Sequence, residues 1–434
     1  MSQEPKEIQC IDWRRCFAFL EIVRSFRLAI HPAKLLLCFL GLAMSFGIGV
    51  LTDQIPGIGQ TEVNGRSFRD NVYYVVTQTL WGDWALPYVG RSSMGDFLQF
   101  LVAPVNAAIQ SVDLVIAYWK SAPWFALINT VLSLALWAVI GGAVSRMAAV
   151  RFAREESVPW NRAIRFSLSK WPSIVTSPLI PFGVMVLLAA VVLGLGTGLP
   201  LMIPYVGEFV YGIFWGLTLV FGLVLALILV GGSFSLGLQW PTIAAEGSDA
   251  FDAISRSISY ISTRPWRYLF YTLFSILYGC LTFLFVKFMT FLALRITHTG
   301  VSVFSFGTGD AHDKLIRLWD VPTIAYPWPA PGTSTVFGGE AAATYLFQFW
   351  VWAAIGMMIA FLISYFFSSQ TVVYFLLRKV VDATDMEEVY MEESEEDELP
   401  VDHKVEAPEV VKIESATPKP PDAKPAGEGG EPKT

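Results

Sequence analysis

Six long apolar segments constrain this chain more than any other feature. Residues 33–51, 122–144, 174–199, 209–232, 267–294 and 341–377 are rich in aliphatic and aromatic side chains and carry few charges. A helix that crosses a membrane needs about 20 such residues, and lipid permits only helices or closed barrels as spanning structures. Since 54% of all residues are hydrophobic and 15% charged, the sequence predicts an all-α polytopic bundle. Its six transmembrane helices would occupy residues 33–380.

One stretch of the sequence occurs twice. When residues 141–169 are shifted by 90 positions, identical residues pair without a gap: Gly141 with Gly231, Gly142 with Gly232, Ser145 with Ser235, Glu156 with Glu246, Ala163 with Ala253, Ile164 with Ile254, Ser167 with Ser257, and Ser169 with Ser259. Each copy would contain one span, a connecting segment and the next span. Two-span units keep their orientation in the membrane, so we expect parallel internal repeats.

A third, split copy is also expected. The run before the first span resembles the runs before the third and fifth spans, and the sixth span would supply the missing half of the unit. This interpretation predicts a pseudo-threefold bundle in which the first span lies next to the sixth.

The connecting segment of each copy has helical periodicity. One face of each is apolar and the other polar: Trp160, Ala163, Ile164, Leu168 and Trp171 oppose Arg162, Arg165 and Ser169, and Phe251, Ile254, Ile258 and Ile261 oppose Asp252, Ser255 and Ser259. Such helices bury an apolar stripe at the acyl boundary and offer Arg or Lys to anionic headgroups. The alternative is that they only hold neighbouring spans in place. Residues 1–32 predict a further amphipathic interface helix.

Lys and Arg are concentrated in the N-terminal segment and in the segments after the second, fourth and sixth spans. Cytoplasmic loops carry an excess of these residues. The distribution therefore predicts an integral protein of the inner cell membrane with both termini in the cytoplasm. Residues 97–119 are apolar but interrupted by polar side chains, so we expect an interfacial or packed segment, with a further span as the alternative.

The C-terminal tail, residues 381–434, is strongly acidic, whereas the rest of the chain has more Lys and Arg than Asp and Glu. Its Pro, Glu and Lys content predicts disorder, because too little apolar surface is available for burial. The negative charge of the tail would suit a basic protein partner.

The candidate interface or headgroup site consists of Glu156, Glu246, Arg162, Arg165 and Arg256. The two acids recur at the same position of both copies with basic residues nearby. They would pair with arginine across units or contact a cationic headgroup. The simpler alternative is that an acid at the start of a helix is favoured by the helix dipole.

Motifs of catalytic, cofactor and metal sites are absent from the sequence, and no basic stripe points to nucleic acid. For the run from Asp310 to Asp313, which includes His312, we favour a polar turn over a metal site. Lys287 is expected to snorkel to the outer face. The uncharged polar residues inside spans, which are Asn129, Gln348 and Gln370, are expected to bond across helices.

The second copy carries a pattern of an acid after one span, a short helix and a further span. The residues of this pattern are Ala244, Ala245, Glu246, Ala253, Ile254, Arg256, Ser257, Pro265 and Trp266. The pattern resembles the integral membrane domain family associated with bacterial glycerophosphodiester phosphodiesterases. The resemblance implies a helical membrane module associated with envelope lipid. It implies no enzyme activity, since this chain has no phosphodiesterase domain.

From these observations we expect a non-enzymatic membrane protein that organises the lipid interface or scaffolds a partner. The alternative is a transporter or permease for an apolar or lipid-like substrate. Membrane lipid is the expected partner in both cases. Gly212 and Gly216 form a GxxxG pair that would permit close helix packing within the chain or in an oligomer.

Overall fold

The computed structural model describes residues 17–59, 62–82, 101–191, 206–304, 315, 319–323, 326–328 and 339–391. The chain divides into two units, Met1–Tyr390 and Met391–Thr434, and the fold below is that of the first. Its described residues are helical apart from turns and one isolated bridge between Val63 and Arg66. The predicted all-α fold is therefore confirmed.

The described helices have the following order along the chain. A 3-10 helix at Ala18–Val23 leads into α1 (Arg24–Ala29), followed by α2 (Pro32–Asp53), α3 (Phe68–Tyr74, continued by a π-helix at Val75–Trp81), α4 (Ala103–Ser121), α5 (Pro123–Arg154), α6 (Trp160–Ser169), α7 (Trp171–Leu188), α8 (Val206–Glu246), α9 (Ala250–Thr263), α10 (Pro265–Phe304) and α11 (Gly339–Val381). Proline lies in the first turn of α2, α4, α5 and α7, where its missing N–H costs no hydrogen bond.

Within the described residues, six helices are long and apolar enough to cross a membrane: α2, α5, α7, α8, α10 and α11. The protein is thus a multi-pass membrane protein. Helices α5 and α8 continue past the ends of their apolar runs to Arg154 and Glu246. They continue because the polar residues that follow, such as Ser145 and Gln239, are fully buried between helices.

Three helices, α5, α8 and α11, pack against one another and form the centre of the bundle. They meet where Gly141 of α5 faces Trp240 of α8 and Phe367 of α11, whose rings are stacked 5.6 Å apart. Helix α2 packs on α5 and α11, α7 packs on α5 and α8, and α10 packs on α11. The first and sixth spans are therefore neighbours, which is the adjacency that a pseudo-threefold bundle requires. The repeat itself stays a prediction.

Helix α4 covers most of the segment for which an interfacial or packed position was expected. It packs against α5 and the π-helix and is not one of the six spanning candidates. Residues 97–100 lie outside the described part.

At the same end of the bundle, Lys287 is buried and not snorkelled. Its Nζ donates to the carbonyl groups of Leu80 and Trp81 at the end of the π-helix.

The N-terminal interface helix is described only from residue 17 onward. Phe17 and the 3-10 helix that follows it expose the apolar side chains of Phe17, Leu20 and Val23, whereas Ile22 and Ser25 are buried. An exposed apolar face is the one that the predicted interface helix would turn to lipid. His31 ends the segment and is the N-cap of α2. Burial lowers the pKa of His31, and the charges of Arg151 and Lys34 lower it further.

Candidate lipid-interface site

The central helices all end at one side of the bundle. Arg146 of α5 reaches the carbonyl of Ala244 in α8, and Tyr374 of α11 reaches Glu246 at the end of α8. Helices α6 and α9 lie at this end because they connect α5 with α7 and α8 with α10. We call this end, which holds Glu155, Glu246, Asp382, α6 and α9, the elbow face.

Glu246 is the centre of a charged network on the elbow face. Its Oε2 lies 2.9 Å from Nη1 of Arg256 on α9, and its Oε1 lies 3.4 Å from Nε of Arg378 on α11. The hydroxyl of Tyr374 also donates to Oε1. The side chains of Glu246 and Arg378 are each only 11% exposed. One carboxylate therefore connects three helices through two ion pairs and one hydrogen bond, and a hydrogen bond to a charged acceptor is stronger than a neutral one.

Two further contacts extend this network. Nε of Arg256 lies 3.0 Å from both carboxylate oxygens of Asp252, one turn earlier on α9. The hydroxyl of Tyr260 donates to Asp382, just beyond the end of α11. Burial raises the pKa of Tyr260, and the carboxylates of Asp382 and Glu246 raise it further. The phenol therefore stays protonated and remains a donor.

The turn after α8 depends on a glycine. Gly247 has φ +64° and follows directly after Glu246, a position at which helices commonly end in the left-handed conformation. A Cβ atom there would lie 2.7 Å from Cδ1 of Tyr390. The N–H of Tyr390 donates to the carbonyl of Ala245 over 2.9 Å. The chain beyond α11 thus returns to the end of α8 and covers it.

The first copy ends differently. Glu155, the residue after α5, itself adopts the left-handed conformation with φ 60°. Its carboxylate lies 2.6 Å from Nη2 of Arg24, which also pairs with Glu21 and lies over the ring of Phe152. Glu156 is half-buried, and its Oε2 is buried without a hydrogen-bond partner among the described residues.

The five candidate residues therefore take different places in the structure. Glu246 and Arg256 are in direct contact, within one unit and not across units. Arg162 is half-buried and Arg165 is exposed. The reason for the difference between the acids is helix length. Helix α8 includes Glu246 as its last residue, whereas α5 stops at Arg154 and leaves Glu156 beyond the turn.

Arg146 belongs to the elbow face, although its position just after the second apolar segment predicts a basic residue of the connecting segment. It is fully buried inside α5, with its guanidinium 4.5 Å from the centre of the Phe166 ring on α6. Its Nη1 donates over 2.9 Å to the carbonyl of Ala244, one of the last carbonyls of α8, which lack partners within their own helix. The flanking small residues Ala148 and Ala149 are the signal that could have placed it inside the bundle.

Helices α6 and α9 bury one face and expose large apolar side chains on another. Ala163, Phe166 and Ser167 are buried on α6, and the hydroxyl of Ser167 donates to the carbonyl of Ala138 in α5 over 2.8 Å. The exposed side chains are Trp160 and Leu168 on α6, Phe251 and Ile258 on α9, and Trp266 at the start of α10. Exposed basic residues lie beside them, namely Arg154, Arg165, Arg264 and Arg267.

Other predicted sites can be placed only in part. The run from Asp310 to Asp313 and residues 392–434 of the acidic tail lie outside the described residues. Among the residues that the structure describes, no group of three His, Cys, Asp or Glu is arranged to hold a metal ion. A scan against protein-family models, a search of curated proteins and a search of solved structures found no match to this chain.

Proposed function

We propose that this protein is a non-enzymatic integral membrane protein that organises the lipid at the elbow face. The observation that carries the proposal is the exposed surface of α6, α9 and the start of α10. Trp266 is 81% exposed and Phe251 is 74% exposed, and Arg165, Arg264 and Arg267 lie on the same side of the bundle. Aromatic rings favour the headgroup level of a membrane, and arginine attracts anionic lipid there.

The network around Glu246 has a structural role in this proposal. Its carboxylate is surrounded by Arg256, Arg378 and Tyr374, all from the same chain. These contacts fix α9 against α8 and α11, so the exposed face of α9 is held in one orientation. A fixed amphipathic surface loses less conformational freedom on contact with lipid than a mobile one.

The centre of the bundle favours this proposal over a transporter with a path along its axis. Val144, Gln239 and Val372, one from each central helix, have no surface accessible to solvent. Gly141 lies so close to Trp240 that an added Cβ atom would be 2.5 Å from the ring. An axis lined by such residues leaves no room for a water molecule at these levels.

The orientation is also part of the proposal. Five described basic residues lie before α2 or between α5 and α7, namely Arg24, Arg27, Arg162, Arg165 and Lys170. Three more lie in the adjoining first turn of α2 or last turn of α5, namely Lys34, Arg151 and Arg154. An excess of Lys and Arg favours the cytoplasmic side. We therefore assign the elbow face to the cytoplasmic leaflet of the inner membrane.

The test compares two charge-removing double variants of the full-length protein in lipid vesicles. Arg165→Gln with Arg264→Gln removes two exposed charges from the elbow face, and Arg69→Gln with Lys120→Gln removes two exposed charges elsewhere. The association of spin-labelled phosphatidylglycerol and phosphatidylcholine is measured by electron paramagnetic resonance. Because each basic residue at a membrane surface contributes about 1 kcal/mol, the loss of two costs about 2 kcal/mol, and we expect the elbow variant to lower the preference for the anionic lipid by up to about thirtyfold.

The control variant should retain most of the wild-type preference, and 1 M salt should abolish it in the wild type because salt screens the attraction. Equal preference in the wild type and the elbow variant would contradict the proposal. An equal loss in both variants would also contradict it, because the effect would then follow net charge and not the elbow face.

A further inference from the structure

A groove opens on the flank of the bundle between α8, α10 and α11. Its volume is about 730 Å³, and its lining includes Gly237, Tyr268, Ser275, Tyr365 and Gln370. Helix α10 packs along α11 and reaches α8 near Tyr268, whose hydroxyl donates to the carbonyl of Phe234 over 2.8 Å. The groove is the space that this arrangement leaves between the three helices. Its volume lies within the range of small-molecule sites.

The groove faces the hydrocarbon region of the membrane. Its lining on α10 begins at Tyr268, two residues after Trp266, and reaches Cys280. At 1.5 Å per residue the groove therefore extends about 18 Å along α10, which is more than half of a 30 Å hydrocarbon core. The rim residues Phe234, Ile276 and Phe366 are exposed. Lipid can therefore enter from the side.

Two polar atoms in the groove have no hydrogen bond among the described residues, namely Oε1 of Gln370 and Oγ1 of Thr272. The side chain of Gln370 is only 8% exposed, so its oxygen is the more deeply buried acceptor. The hydroxyls of Tyr365 and Ser369 are satisfied, since they donate to the carbonyls of Ser275 and Phe366. An amide in hydrocarbon without a hydrogen bond is unfavourable. The expected bond of Gln370 to another helix is thus not formed.

Gly237 gives Gln370 its position. A Cβ atom at residue 237 would lie 2.8 Å from Oε1 of Gln370, so any larger residue would displace the amide. The glycine keeps the amide at the floor of the groove, where a molecule in the groove can reach it.

We propose that the groove binds a neutral lipid with a free hydroxyl group, of the diacylglycerol type. Its hydroxyl would donate to Oε1 of Gln370, and its chains would follow the apolar walls into the bilayer. A charged headgroup would find no counter-charge there, because none of the described lining residues is charged. This site is separate from the elbow face and does not depend on the function proposed for it.

The experiment uses the full-length protein in nanodiscs with two photoactivatable lipids that carry a diazirine on the same acyl chain, one a diacylglycerol and the other a phosphatidylcholine. We expect the diacylglycerol to label the groove residues of α8, α10 and α11 at least fivefold more than the phosphatidylcholine, and unlabelled diacylglycerol to compete. Gln370→Leu should remove this preference. The matched control is Gln348→Leu, the same substitution on the same helix outside the groove, which should preserve it.

A stability measurement distinguishes loss of the site from loss of the fold. Without added lipid, Gln370→Leu should melt at the same temperature as the wild type or higher, because the unpaired amide is gone. Diacylglycerol should raise the melting temperature of the wild type but not of the variant. Equal labelling by both lipids would overturn the proposal, because the groove would then take any acyl chain. Crosslinks from the groove to a second copy of the chain, unaffected by added lipid, would overturn it as well.

Discussion

The two copies of the repeated stretch are similar in sequence and differ in how they pack. In the first copy, Gly141 is enclosed by the rings of Trp240 and Phe367, and Gly142 by Ser167 and Ile174. In the second copy, no atom of the described residues lies within 4 Å of a Cβ atom at Gly231, and Gly232 faces Pro181 at 3.9 Å. The same pair of glycines is therefore enclosed by other helices in the first copy and open in the second, although both copies belong to central helices.

The acids show the opposite distribution. Glu246 of the second copy pairs with two arginines and accepts a hydrogen bond from a tyrosine, whereas no ion pair is found for Glu156 of the first copy among the described residues. The residues that the two copies share therefore determine the order of elements, a span followed by a short helix and a second span. The length of each helix then decides which charged groups meet.

The largest difference between the copies is expected from their acids. Glu246→Ala leaves Arg256, Arg378 and Tyr374 without their common acceptor, and breaking a largely buried ion pair costs about 3 kcal/mol, reduced where one partner is exposed as Arg256 is. Glu156→Ala should change stability by less than about 0.5 kcal/mol. Unfolding in dodecyl sulfate, followed by circular dichroism, measures both. Equal effects of the two substitutions would show that the acids are equivalent after all.

The glycines should give an intermediate effect. Gly141→Ala puts a methyl group 2.5 Å from Trp240, and overpacking of this kind costs about 1 to 3 kcal/mol. Gly231→Ala meets open space, and alanine is favoured over glycine within a helix by up to about 1 kcal/mol. The same unfolding assay should therefore give a loss for the first variant and no change or a gain for the second. A loss at both positions would mean that Gly231 is also covered.

The smallest effect is expected at Tyr260, for which the first copy has Lys170 at the corresponding position. Tyr260→Phe removes the hydrogen bond to Asp382, which contributes about 1 kcal/mol. Because the folded protein raises the pKa of Tyr260 above its usual value of 10, this contribution should be constant below pH 10 and be lost as the pH rises through the folded pKa. Unfolding measured from pH 7 to pH 11 checks this.

The exposed Tyr345→Phe is the control for that measurement, since it removes a phenol that lies on the lipid-facing surface of α11. It should leave stability unchanged over the same pH range. If Tyr345→Phe lowers stability as much as Tyr260→Phe, the bond to Asp382 does not contribute.

Much of the fold could be predicted from the sequence, because apolar runs of sufficient length have only one stable form in lipid. The adjacency of α2 and α11 followed from the resemblance between the segments that precede the spans. Two features of the sites could not be predicted. Arg146 follows an apolar run and looks like the start of a loop, yet the helix continues because its guanidinium finds the end of α8. Gln370 was expected to have a partner, and only the distance between α8 and α10 leaves it without one.

Three parallel helices ending side by side have an electrical consequence. Each helix carries a partial negative charge of about half a unit at its carboxyl end, where the last carbonyls lack partners. The ends of α5, α8 and α11 bring three such charges together, and Arg146 and Arg378 lie among them. These two arginines would therefore be stabilised by the protein itself, even in a membrane without anionic lipid. The arginines at this end therefore balance negative charge of two kinds, the helix ends inside the protein and the anionic lipid in the surrounding leaflet.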